Sequence, residues 1–131
     1  MKRRTMVVSR SVLQGLLEWG QAMYPREAIL LLRGETREDE IIVREIIIPP
    51  RATYGFIFSA FDSFMLPIDL TIVGTAHSHP SGSLRPSITD MNVGFFGRIM
   101  VILAYPFESE ENVRVYDGEG KRLPLKIVKS D

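Results

Sequence analysis

The spacing of apolar residues changes several times along the chain, and each change marks an element. Thr5 to Val8 reads as a short strand or lead-in. Val12, Leu13, Leu16, Leu17 and Gly20 then recur at helical spacing behind Ser9 and Ser11, either of which can cap, and predict a helix running to about Met23 with Trp19 at the margin of its apolar face. Tyr24-Pro25 ends it, because the residue before a proline avoids the α region. Glu27 to Arg33 is a strand with a carboxylate at its entrance, Gly34 to Glu40 a polar turn, and Ile41 to Ile48 the returning strand of a hairpin. Pro49-Pro50-Arg51 breaks the pattern. Tyr54 to Phe61 reads as a third strand and Ser63 to Pro67 as a short helix or turn. Leu70 to Ala76, rich in β-branched residues, is a buried strand.

A helix is expected from Ser87 to about Gly97, turning Met91, Phe95 and Phe96 toward the sheet. Ile99 to Tyr105 is a continuous apolar strand, and Pro106 to Asn112 an acidic loop. Val113 to Tyr116, the turn Asp117 to Gly120, and Leu123 to Val128 predict a terminal hairpin, with Pro124 marking its last strand as an edge. This order predicts an α/β fold of mixed type: a central mixed β-sheet with helices packed on its faces.

Length and composition narrow the picture. At 131 residues the chain has the size of one domain, 1–131, and can bury roughly two-thirds of its unfolded surface. Sixteen basic residues balance sixteen acidic ones, so no global positive field argues for nucleic acid. Cysteine is absent, which excludes disulfides, catalytic thiols and thiolate metal ligands and fits a reducing cytoplasm. No apolar run approaches the ~20 residues of a membrane span. Met1-Lys-Arg-Arg resembles the start of a signal peptide, but Ser9, Arg10, Ser11 and Gln14 interrupt the apolar stretch that such a peptide needs.

The chemistry gathers in Gly74 to Asp90. Both histidines of the protein, His77 and His79, lie two apart at the end of a strand, so their side chains point the same way while Ser78 points elsewhere. Pro80 to Pro86 form a loop of fixed path, succeeded by Ser87-x-x-Asp90. Two imidazoles and a carboxylate form a plausible zinc set, and three protein ligands leave the fourth position that marks catalytic sites. Each part has a plainer explanation, since strand-end histidines can be ordinary hydrogen-bonded residues and Ser-x-x-Asp is a helix-capping signature. It is the fixed spacing of all the parts that favours the metal.

His77-Ser-His-Pro80 followed by Pro86-Ser-x-x-Asp90 resembles the signature of the JAMM (MPN+) zinc isopeptidases, and element order and length extend the resemblance over nearly the whole chain. The resemblance implies a cytidine-deaminase-like sheet, one zinc ion bound by His77, His79 and Asp90, and Ser87 as a donor to the oxyanion. It also raises Glu27, by position alone an exposed strand-end charge, to the acid–base group; Glu18, Glu35 and Glu45 are weaker candidates. Metal-assisted amide hydrolysis is then the expected reaction, with Glu27 taking a proton from the attacking water and delivering it to the leaving amine. Ser78 and Thr89 receive no chemical role.

The implied substrate is a ubiquitin-like protein or its lysine conjugate, cleaved after the modifier's C-terminal tail, as in deubiquitinating and desampylating enzymes. Processing of a ubiquitin-like sulfur carrier and a non-catalytic MPN scaffold are the alternatives. A cytosine or adenine deaminase is excluded by the missing Pro-Cys-x-x-Cys. The expected setting is cytoplasmic, without nucleic acid or membrane partners, and a homodimer is compatible with the sequence.

Overall fold

The computed structural model describes residues 3–48, 70–93 and 97–129. The elements expected over Tyr54–Phe61 and Ser63–Pro67 lie outside these residues, as do Phe95 and Phe96.

Among the described residues, eight strands form one sheet in the order β7-β6-β5-β4-β2-β3-β1-β8. They are β1 (Thr5–Ser9), β2 (Ile29–Thr36), β3 (Glu40–Ile47), β4 (Ile72–His79), β5 (Ile99–Ala104), β6 (Val113–Tyr116), β7 (Arg122–Leu123) and β8 (Leu125–Val128). The sheet is mixed: β1 runs parallel to β3 and β8, β4 runs parallel to β5, and the remaining pairs are antiparallel.

Helix α1 (Arg10–Met23) begins at Ser9, whose hydroxyl accepts the Val12 N–H at 3.1 Å. It ends where expected, with Tyr24 at ψ 136° before Pro25. Its apolar stripe packs on one face of the sheet with Val8, Leu30, Leu32, Val101 and Leu103, and Trp19 joins this core rather than its margin. Gly20 has a specific reason to lack a side chain: a Cβ there would lie 2.6 Å from the Phe107 ring. The short helix α2 (Ile88–Val93) lies on the opposite face, where Met91 packs against Met100, Ile102 and Tyr116. The alternation along β5 thus sends Val101 and Leu103 to one helix and Met100 and Ile102 to the other.

Two further expectations are corrected. The turn between β2 and β3 is shorter than Gly34–Glu40, because β2 continues to Thr36 through a register shift at Arg33/Gly34. The second helix is described over Ile88–Val93, and residues 94–96 of its expected span lie outside the described residues. The terminal hairpin exists only at Arg122–Leu123, which pair with Tyr116 and Val115. Beyond Pro124 the same strand leaves β6 and pairs with β1, Met6 opposite Leu125 and Ser9 opposite Val128. Proline carries no N–H to continue the first ladder, while its carbonyl accepts the Met6 N–H at 2.9 Å. One residue therefore joins the two ends of the sheet order, so the sheet curls around α1. The expectation that the last strand is an edge holds. Among the described residues, no helix is long and apolar enough to cross a membrane.

Candidate metal centre

The site is built where β4 ends. His77 and His79 are the last outward pair of that strand on the α2 face, and both are buried, 1% and 8% exposed. After Pro80 the chain turns, with Gly82 at φ +85° donating its N–H to the His79 carbonyl. A residue with a side chain would be strained at that angle. The Tyr116 hydroxyl, on β6, donates to the Leu84 carbonyl at 2.6 Å and pins the loop to the sheet.

The loop delivers Ser87 and Asp90 to the histidines. Ser87 caps the short helix, accepting the Asp90 N–H at 2.9 Å, and Asp90 returns the bond by accepting the Ser87 N–H at 2.8 Å. The capping signature and the cluster are thus one object. Asp90 is 4% exposed; one of its oxygens lies 3.1 Å from His79 Nε2 and the other 3.4 Å from His77 Nδ1. The outer nitrogens are held as well: His77 Nε2 is 3.1 Å from the Thr75 hydroxyl, and His79 Nδ1 is 3.0 Å from the Ser83 carbonyl. Burial pushes the Asp90 carboxyl up, but hydrogen bonds from His77, His79 and the Ser87 N–H outweigh it and hold it far below the usual carboxylate range. For His79, burial pushes the pKa down, and the hydrogen bond and charge of Asp90, the Ser83 carbonyl and the charge of Glu27 together raise it.

These groups fit a divalent cation. The Ser83 carbonyl can only accept, so Nδ1 of His79 carries a hydrogen; the protonated ring donates from Nε2 to Asp90, whereas the neutral ring turns a lone pair on Nε2 toward an ionised carboxylate oxygen. Two electron-rich atoms 3.1 Å apart call for positive charge between or upon them. Imidazole nitrogen with carboxylate oxygen, without thiolate, suits zinc, and outer partners that fix each ring are what metal-binding histidines usually have. In the rotamers present, each ring faces a different oxygen of Asp90, and no three described His, Asp or Glu side chains close on one point. A bound ion would replace the two ring–carboxylate contacts.

Beside this cluster opens a cleft of about 490 Å³ lined by Glu27, His79, Ser81, Ser83, Arg85, Pro86, Ser87, Thr89 and Asp90. Glu27 is exposed at its wall. The other carboxylates considered are engaged elsewhere: Glu35 with Arg37 and Arg44 at 2.8 and 2.7 Å, Glu45 with Arg33 at 3.7 Å, and Glu18 with Gln14 at 3.1 Å. The structure therefore brings together all five residues singled out in the sequence. The sequence singled out less of their support. Thr75 was findable, two residues before His77 on the same strand face; Ser83 lies four residues from His79 but offers only its backbone carbonyl, which no residue type signals, and Tyr116 and Ser78 act through long-range contacts that no local spacing reveals.

The model of the prokaryotic homologues of the JAB domain matches residues 9–116. The chain belongs to this JAB, or JAMM, family. A probable metalloprotease of Haloferax volcanii is 27% identical to this JAMM chain, over 98% of the chain and 83% of the relative. Two solved structures resemble it with a TM-score of 0.67 at 30% identity. One, described as a JAMM metalloprotease-like zinc site in the proteasome and signalosome, is matched over 95% of this chain and 99% of the other. The second, a JAB1/MPN domain protein from Archaeoglobus fulgidus, is matched over 95% and 97%. A protein from Desulfitobacterium hafniense, 15% identical with a TM-score of 0.63, shares the fold. The protein is thus a compact prokaryotic member of a metalloprotease-like family.

Proposed function

We propose that this chain is a zinc-dependent peptidase that hydrolyses the bond after the C-terminal tail of a ubiquitin-like modifier, with one zinc ion per chain. The observation that carries the reading is the convergence of His77, His79 and Asp90 at the wall of a cleft that Glu27 also lines. His77, His79 and Asp90 would hold the ion, whose chemistry is Lewis acidity toward water and carbonyl oxygen. Glu27, exposed to the cleft, is the proton carrier: it accepts a proton from the attacking water and hands it to the leaving amine. The Ser87 oxygen accepts the Asp90 N–H, which leaves its own O–H proton for a developing oxyanion. One such donor contributes about 2.7–4 kcal/mol. Ser87 is not a nucleophile, because both histidines face Asp90.

The test incubates the purified chain with a ubiquitin-like modifier conjugated to a lysine, and with the same modifier carrying a C-terminal peptide extension. Cleavage that a chelator abolishes and added zinc restores supports the reading. No cleavage of either substrate by a zinc-loaded chain overturns it. Glu27→Ala is expected to retain zinc and lose about 10²–10⁴-fold in rate, whereas His77→Ala loses both metal and activity; metal analysis beside the assay separates the two.

A further inference from the structure

Between the two histidines stands Ser78, and its contacts reach the strand that carries Glu27. In the β2–β4 ladder Ile29 pairs with His77, Leu30 with Ala76 and Leu31 with Thr75. Carried on by one residue, this register sets Ala28 opposite Ser78; carried on by two, it sets Glu27 opposite His79. The Ala28–Ser78 pair is made in an unusual way. The Ser78 N–H donates to the Ala28 carbonyl at 3.0 Å, as a ladder bond should. The return bond goes elsewhere: the Ala28 N–H donates to the Ser78 hydroxyl oxygen, also at 3.0 Å, in place of the Ser78 carbonyl. Both residues are 1% exposed. Ser78 alternates with the histidines, so its side chain lies on the α1 face. A backbone N–H drawn to that hydroxyl ends the regular ladder one residue before Glu27.

We infer that Ser78 is a positioning residue that fixes Glu27 at the cleft through Ala28; this rests on the proposed role of Glu27. Glu27 is exposed and precedes the regular ladder of β2. The two bonds to Ala28, the next residue, are buried and oriented. They couple the acid–base carboxylate to the strand that bears both imidazoles, so that the distance between them is set by one side chain. General acid–base catalysis depends steeply on such placement, and a misplacement of about 1 Å can cost roughly 10²-fold.

The experiment compares wild type with Ser78→Ala, Ser78→Cys, which keeps the volume but accepts poorly, and Ser78→Thr, which keeps the hydroxyl. Two readouts are taken: amide hydrogen exchange across residues 26–32 in metal-free protein, and zinc content with kcat and KM on the modifier conjugate. Ser78→Ala and Ser78→Cys are expected to speed exchange at Ala28 at least tenfold while Leu30 to Leu32 stay protected. Their kcat is expected to fall about tenfold or more, with KM within about twofold and zinc content unchanged, and Ser78→Thr to regain most of the loss. Wild-type kcat in Ser78→Ala or Ser78→Cys, unchanged exchange at Ala28, or a loss shared equally by zinc content overturns the inference. An inactive wild-type enzyme overturns the proposed function instead, and the exchange readout still decides whether Ser78 holds Ala28. If Ser78→Ala does not fold, Ser78→Cys carries the comparison.

Discussion

The Asp90 carboxylate faces both imidazoles and at the same time accepts the N–H of Ser87, and these contacts set opposite pH dependences. Asp90 titrates lower folded than unfolded, so its contribution to stability is present above about pH 3.9 and is lost as pH falls below that. His79 titrates higher folded than unfolded, so its contribution is full below about pH 6.5 and is lost as pH rises through its raised value. Metal-free protein should therefore melt highest between roughly pH 4 and 6.5. Zinc needs a neutral imidazole and should bind more tightly as pH rises. Melting curves taken from slightly acidic to slightly alkaline pH, with and without chelator, should diverge increasingly toward the alkaline end; curves that stay parallel would contradict the ring–carboxylate assignment. Ser87→Ala removes the cap acceptor and should cost about 1 kcal/mol in metal-free protein. Urea denaturation in chelator isolates that effect from any change in rate.

At the scale of elements, the site is a consequence of strand parity. Ile29, His77 and His79 share a sheet face because side chains two apart point the same way and the antiparallel register of β2 on β4 aligns them, and Glu27, just before β2, lines the cleft beside them. The opposite face belongs to α1, and its seam is tight at Gly20. Gly20→Ala would press a methyl group into the ring of Phe107, a residue whose carbonyl is also held by the Gln21 side chain at 2.7 Å. A destabilisation of about 1–3 kcal/mol is expected, measurable as a lower urea midpoint with unchanged slope. Leu30→Ala, at a fully buried position of the same face, should cost about 2–5 kcal/mol.

For the molecule as a whole, stability rests on the crossing at Pro124. β8 covers the free edge of β1, and Leu125 and Ile127 pack against the α1 core. Ending the chain after Pro124 would bare that edge and that side of the core. The loss should amount to several kcal/mol of a total that is usually about 5–15, and the truncated protein should melt non-cooperatively by calorimetry. A sharp transition near the wild-type temperature would show that the curl is held by β1–β7 alone.

Local pattern determined what local chemistry can determine. The periods of α1 and of β2 to β6, the stop at Tyr24-Pro25, the common direction of His77 and His79, and the start of α2 at Ser87 all come from neighbours within a few residues. The expected β-sheet with helices on both faces comes from their order. The family resemblance singled out Glu27, whereas tertiary structure alone decided that the last strand abandons its hairpin partner and that Ser78 and Tyr116 hold the site in place. Those outcomes depend on strand register and on hydrogen bonds between residues far apart in sequence, 50 positions for Ala28 and Ser78. No periodicity carries such information, because which distant backbone groups meet is fixed only when the whole sheet closes around α1.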